Sequence, residues 1–349
     1  MNATISERSK KILQVLASGK ALSRTAIEAA IKESRDNTIR ELKQLVTQEF
    51  VTTSGEARAT VYSITSQART IIVWSVEEYL SQEPDKRHAR YSSLELELFK
   101  TIKGSIGREP SAIEKATNKR RETGDSVTAR KDLERFVIEL SWKSSKIEGN
   151  TYTLLDTERL IKEIKEATGH PHEEAIMILN HKKAFEYVWK NQKLFKKLTK
   201  TQIIEVHQLL VEELHVPTGL RELPVGITGT VYIPPASQVE ILSYLRDIID
   251  IINNIDKPIE KAMACLMLLP YLQPFADGNK RTSRIVANAV LLAYGYPPLS
   301  YRSVDEKAYK GALILFYEQG TLANFRELYL KQLEESAQSY FFPIHKENA

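Results

Sequence analysis

The run LQPFADGNKRTSR, Leu272 to Arg284, is a polar, turn-rich insert between two strongly apolar stretches. Before it, Pro258 opens an apolar run that reaches Leu272. Proline is tolerated in a first helical turn, because the N–H it lacks has no partner there. After it, apolar residues resume at helical spacing over 281–294. Asp277, Gly278 and Asn279 suit a tight turn, which predicts that the next helix begins near Lys280. The first N–H groups of a helix are unpaired and carry the positive end of its dipole, so the loop faces an anion site. Arg281 and Arg284, three apart, share one face of that first turn and can hold consecutive phosphates of a nucleotide. Asp277 would then suit Mg²⁺, which takes one or two carboxylates and keeps several waters. The same spacing also fits a capped helix with surface arginines.

Outward from this loop, helical periodicity covers 126–148, 172–190, 200–214, 237–254, 258–270 and 305–318. Residues 219–235, GLRELPVGITGTVYIPP, break it. Alternating Val225, Ile227 and Val231 among glycines and prolines predict a short β-hairpin between helices. Leu133, Phe136, Val137, Leu140, Ser144 and Ile147 form one stripe of the helix expected over 126–150. Ser144 and Glu148, four apart, therefore lie near its buried face and its end, where a carboxylate needs a partner.

The first seventy residues have another pattern. Ile12, Leu13, Val15 and Leu16, then Ile27 and Ile31, then Ile39, Leu42, Leu45 and Val46 predict three short helices, with Ser23 and Ser34 as N-caps. Phe50 to Thr53 and Thr60 to Ile64 are rich in β-branched and aromatic residues and predict a hairpin. Three helices plus a hairpin is the winged-helix pattern. Its third helix would offer double-stranded DNA an exposed side of Arg35, Asn37, Thr38, Arg40 and Lys43, with Arg58 at the wing tip reaching a phosphate. Residues 1–70 carry eleven Lys and Arg against seven Asp and Glu, a surplus equal to the net +4 of the whole 349-residue chain. Protein contacts or a homodimer are the other use of such a domain. The domain reading is 1–70 winged helix, 71–92 polar linker, 93–335 helical domain and 336–349 tail.

No apolar run approaches the roughly 20 residues of a membrane span, and MNATISERSKKIL lacks the apolar core of a secretory signal, so no membrane partner and a cytoplasmic location are expected. The single cysteine, Cys265, excludes an internal disulfide and reads as a buried thiol. His170-Pro171-His172 beside Glu173 and Glu174 reads as a helix N-terminus rather than a metal site, for want of further ligands.

The loop resembles the signature of the Fic (filamentation-induced-by-cAMP) family, His-x-Phe-x-(Asp/Glu)-Gly-Asn-Gly-Arg-x-x-Arg. Phe275, Asp277, Gly278, Asn279, Arg281 and Arg284 agree with it; Gln273 replaces the histidine and Lys280 the second glycine. Ser144 to Asn150, SSKIEGN, is similar to the (Ser/Thr)-x-x-x-Glu-(Gly/Asn) inhibitory helix of self-inhibited members. Gly219-x-Arg221 through Tyr232-x-Pro234-Pro235 looks like the family's substrate-binding flap, with Gly229, Tyr232 and Pro234 as its marked residues.

The resemblance implies a mainly α fold: a helical bundle with a β-hairpin flap behind an N-terminal winged helix. It also implies transfer of AMP from ATP to a hydroxyl side chain of a target protein. Asp277 would hold Mg²⁺; Gly278, Asn279, Lys280, Arg281 and Arg284 would bind the nucleotide, the two arginines taking the outer phosphates. Glu148, presented by the Ser144 helix, would pair with Arg284 and inhibit. Gln273 stands where the family has its catalytic base, and an amide cannot accept the proton of an attacking hydroxyl near pH 7. Lysine after the asparagine also occurs in the Doc branch, which transfers the terminal phosphate of ATP. Two further readings therefore stand beside adenylyl transfer: a Doc-like phosphotransferase, and a silent nucleotide-binding domain in a DNA-binding regulator.

Overall fold

The computed structural model describes residues 6–17, 21–69, 71–106, 113 and 126–340. It divides the chain into two units. One comprises 1–101, 227–233 and 307–327; the other comprises 102–226, 234–306 and 328–349.

The first unit opens with helices α1 (Glu7–Ala17), α2 (Arg24–Ile31) and α3 (Arg35–Thr47). A three-stranded antiparallel sheet joins them, ordered β1 (Leu22–Ser23), β3 (Val61–Ile64), β2 (Val51–Ser54), with Val51 opposite Ile64 and Ser54 opposite Val61. Ile12, Leu13, Leu16, Ile27, Leu42 and Leu45 close over Phe50 and Val51 as one core. Ser23 and Ser34 cap as the sequence predicts, their hydroxyls accepting from the N–H groups of Ala26 and Asn37. Gly55 needs its missing side chain: at φ +80° a Cβ would stand 2.5 Å from the Ala59 carbonyl oxygen. One expected surface residue of α3 is not on the surface. Thr38 is buried and its hydroxyl donates to Ser34 O at 3.0 Å, so it is part of the cap rather than of the exposed face. Arg35, Arg40 and Lys43 are exposed and Asn37 is half-buried. The Arg58 side chain lies outside the described residues.

Residues 71–92, which read as a polar linker, instead contribute buried structure. After the short α4 (Ser66–Arg69), α5 (Val76–Ser81) buries Tyr79, and Arg87 follows, also buried. Both reach Glu318, whose carboxylate is sealed from solvent. It accepts from the Tyr79 hydroxyl at 2.7 Å, the Thr230 hydroxyl at 2.6 Å, the Val231 N–H at 3.1 Å and Arg87 at 3.4 Å. Arg87 also donates to Gly229 O at 2.6 Å. This network also shapes residues 219–235. The β-hairpin expected over 219–235 does not form; among these residues there are turns and extended chain but no strand. Pro224, Pro234 and Pro235 offer no N–H, and the N–H groups of Val231 and Ile233 go to Glu318 and to Ser92 O, leaving no cross-strand ladder.

After α6 (Leu96–Lys100) of the first unit, the second unit is built from α7 (Ser126–Ile147), α8 (Leu154–Glu163), α9 (His172–Lys190), α10 (Lys200–Val211), α11 (Gln238–Asn253), α12 (Pro258–Leu272) and α13 (Asn279–Ala293). Two further helices, α14 (Glu306–Gln319) and α15 (Ala323–Ser339), belong partly to each unit. From Ile259 to Leu272 every residue of α12 is buried, Cys265 included. So is almost all of α13; α12 is apolar on nearly every side, whereas α13 buries the polar residues Asn279, Arg281, Thr282, Ser283 and Arg284 of its first turns along with its apolar end. The loop between them thus hangs from two immobilised ends. The helix that ends at Ser339 takes in the start of the expected 336–349 tail, and Tyr340 is buried with its hydroxyl on Ser300 at 2.9 Å; residues 341–349 lie outside the described set. Among the described residues no helix is long and apolar enough to cross a membrane.

Candidate active site

At the end of α12 the chain turns through Gln273, a non-glycine residue at φ +52°. Its side-chain amide is engaged at both ends. Nε2 donates to Pro270 O at 2.7 Å, one of the carbonyls a helix end leaves unpaired, and Oε1 accepts from Asn279 Nδ2 at 2.8 Å. Asn279 also closes the turn on itself, accepting the Phe275 N–H at 2.9 Å and donating to Phe275 O at 2.8 Å. Gly278 precedes α13 at φ +80°, where a Cβ would stand 3.2 Å from Val211 Cγ1. The tight turn predicted at 277–279 is present, with α13 starting one residue earlier than expected.

Two residues from elsewhere hold the loop. His207 of α10 stacks on Phe275 with ring centroids 3.7 Å apart and planes within 7°, and its Nε2–H donates to Asp277 O at 3.0 Å. Burial pulls its pKa down to about 4, so the ring is neutral at pH 7. Arg221, buried, donates through Nε to Gln273 O at 2.7 Å and through its backbone N–H to Pro274 O at 3.0 Å.

The charged residues sit at the start of α13. Asp277 keeps an exposed carboxylate that pairs with the buried Arg281 at 2.8 Å. Arg284 has no exposure at all. Its Nε donates to Ser144 Oγ at 2.8 Å and Nη2 to Ser144 O at 2.9 Å, while Nη1 lies 2.9 Å from Glu148 Oε1. The other Glu148 oxygen is 2.8 Å from Lys280 Nζ. Glu148 stands just past the end of α7, where Gly149 at φ +105° lets the chain leave. Burial alone would raise the Glu148 pKa; the charges of Arg284 and Lys280 outweigh it and bring it down to about 2. Ser144 and Glu148 are thus brought to Arg284 as expected. The ion pair between Lys280 and Glu148 is new.

Residues 197–291 match the Fic/DOC family model. The chain is 28% identical over 191 residues to protein adenylyltransferase Fic of Nematostella vectensis, covering 53% of this chain and 44% of that protein. It therefore spans less than half the length of this curated relative. Among solved structures, Fic-1 from C. elegans has a TM-score of 0.56 at 22% identity, covering 65% of this chain and 69% of that one. A Fic domain containing signaling protein from Bacteroides thetaiotaomicron has the same TM-score at 21% identity, covering 65% and 95%. These likenesses establish the fold: mainly helical, with one small antiparallel sheet.

The Fic/DOC match contains Gln273, Asp277, Gly278, Asn279, Lys280, Arg281 and Arg284 but neither Ser144 nor Glu148, which come from α7 and the residue just after it. The flap residues divide. Gly229, at φ +82°, and Tyr232, buried with its ring 5.5 Å from that of Tyr317, fall in the first unit; Pro234, buried, falls in the second. The 273–284 loop sets Lys280, Arg281 and Arg284 at the N-terminus of α13, where they pair with Glu148 and Asp277. Asp277 is its one accessible carboxylate, and among the described residues no group of three or more His, Cys, Asp or Glu could hold a metal. A single exposed hard oxygen fits Mg²⁺ shared with phosphate and water. Arg221 stands in the flap-like motif, but its bonds to the Gln273 and Pro274 carbonyls do not follow from that resemblance, and His207 is an isolated polar residue whose role exists only through what it packs against.

Proposed function

We propose that the chain is a Fic-type protein nucleotidyltransferase that binds Mg-ATP on the 277–284 loop, transfers AMP to a hydroxyl side chain of a target protein, and is held inactive by Glu148. The observation that carries this reading is the Glu148 carboxylate set between Arg284 and Lys280, two cations that would otherwise face phosphate. Asp277 would hold Mg²⁺, which would neutralise charge on the phosphates. The α13 N-terminus and Asn279 would receive the α-phosphate, Arg281 and Arg284 the outer ones, so that catalysis is positioning and charge stabilisation.

Gln273 supports a second reading. Its amide is committed to Pro270 and Asn279 and cannot take a proton, and loss of a general base costs about 10²–10⁴ in rate. In that reading the Fic segment binds nucleotide without transfer, and residues 6–69, as a winged helix with Arg35, Arg40 and Lys43 exposed, bind duplex DNA in response. One experiment separates the readings: incubate Glu148→Gly with Mg-ATP labelled differently at the α- and γ-phosphates. Protein carrying α-label supports adenylyl transfer, γ-label alone a Doc-like phosphotransferase, and nucleotide binding without label the regulator.

A further inference from the structure

We infer that His181 is a positioning residue of the phosphate site, fixing the Ser144 hydroxyl and, through it, the direction in which Arg284 presents Nη1. The inference deepens the nucleotide-binding reading and rests on it. Its basis is a chain of hydrogen bonds whose proton positions follow from the partners. Met177 O, 2.9 Å from His181 Nδ1, can only accept, so Nδ1 carries the proton and Nε2 the lone pair. Ser145 Oγ, 3.4 Å from Nδ1, is a weaker second neighbour. The Ser144 hydroxyl, 2.7 Å from Nε2, must therefore donate to it, which turns the serine lone pairs toward Arg284 Nε–H. With Nη2 also on Ser144 O, one edge of the planar guanidinium is anchored at two points, and Nη1 is held 2.9 Å from Glu148 Oε1 as an ion pair.

His181, Ser144 and Arg284 have no solvent exposure, so no water competes for these bonds. The ring stays neutral, because burial, with Arg281 and Arg284 nearby, drives its pKa down to about 3. When Glu148 leaves, a terminal phosphate oxygen arriving in its place meets a guanidinium already fixed on Ser144. A side chain that only filled the space would leave the Ser144 hydroxyl without its acceptor and the guanidinium with one secure anchor.

The test uses the full chain carrying Glu148→Gly, with ATP, ADP and AMP affinities measured by calorimetry in Mg²⁺. His181→Phe and Ser144→Ala should each weaken ATP about tenfold, the value of one charge-assisted hydrogen bond, and leave AMP unchanged. The double variant should be no worse than either single one, because both act through one path. His181→Gln, whose amide oxygen reaches the position of Nε2, should recover most of the loss. A ligand-free readout accompanies these: with ¹⁵N-labelled histidine, His181 should show the Nδ1–H tautomer, and its Nε2 resonance should move in Ser144→Ala. Unchanged ATP affinity in both single variants, equal loss of ATP and AMP, or the opposite tautomer overturns the inference alone. A Glu148→Gly parent that binds none of the three nucleotides overturns the underlying reading and this inference with it.

Discussion

Gln273 is where the chemistry of this chain turns on one side chain. If a missing base is what limits transfer, Gln273→His in the Glu148→Gly background should raise α-label transfer by about 10²–10⁴ over Glu148→Gly alone. No gain would show that the obstacle lies elsewhere in the site. Glu148 makes a separate prediction through pH. Its carboxyl is held at about 2 in the folded protein against an ordinary 4.5, so its stabilising effect is fully present above 4.5 and lost as pH falls from there toward 2. The stability advantage of wild type over Glu148→Gln, on the order of 1–3 kcal/mol, should shrink over that window in urea titrations. His207 also titrates below its ordinary value of 6.5, at about 4, for the opposite reason: its buried form is the neutral one. The unfolded chain gains its proton first, so this ring destabilises the fold as pH drops from 6.5 to 4, and His207→Phe should flatten the melting temperature across that interval.

At the scale of elements, the turn into α13 is the most constrained join. Gly278→Ala would place a β-carbon at φ +80° and 3.2 Å from Val211, a cost of about 1–2 kcal/mol that should lower the melting temperature by a few degrees. This join is legible in the sequence because Asp277-Gly278-Asn279 is local turn chemistry between two apolar runs, and the Ser23 and Ser34 caps are legible for the same reason. Pairing of Glu148 with Arg284 is legible only through the family resemblance. The hairpin expected over 219–235 fails because alternating Val225, Ile227 and Val231 fit a strand, while the partner of the Val231 N–H is a carboxylate 87 residues away. The helix α8 announces itself in a capping box, Thr153 with Asp156, that periodicity alone passes over. Lys280 reads as a phosphate ligand in sequence; its ion pair with Glu148 exists only once the fold brings α7 and α13 together.

For the whole molecule, the regulator reading makes a claim about salt. Binding to random duplex DNA should weaken steeply with salt concentration, and replacing Arg35, Arg40 and Lys43 by alanine should reduce the slope by about 0.9 for each phosphate that is no longer neutralised. A flat dependence in the wild type would remove DNA from the picture. The Glu318 network bears on how this chain can be divided. A cut at residue 92, where the sequence suggests a boundary, would strip the buried carboxylate of Tyr79 and Arg87 and leave it with the Thr230 hydroxyl and the Val231 N–H. Removing one partner of a buried ion pair costs about 3–5 kcal/mol. Residues 227–233 of such a fragment should exchange their amide hydrogens more rapidly than in the full chain. Arg87 is thus a scaffold for Gly229, a loop residue that follows it by 142 positions, so the shape of that loop depends on a stretch that reads as a mere connector.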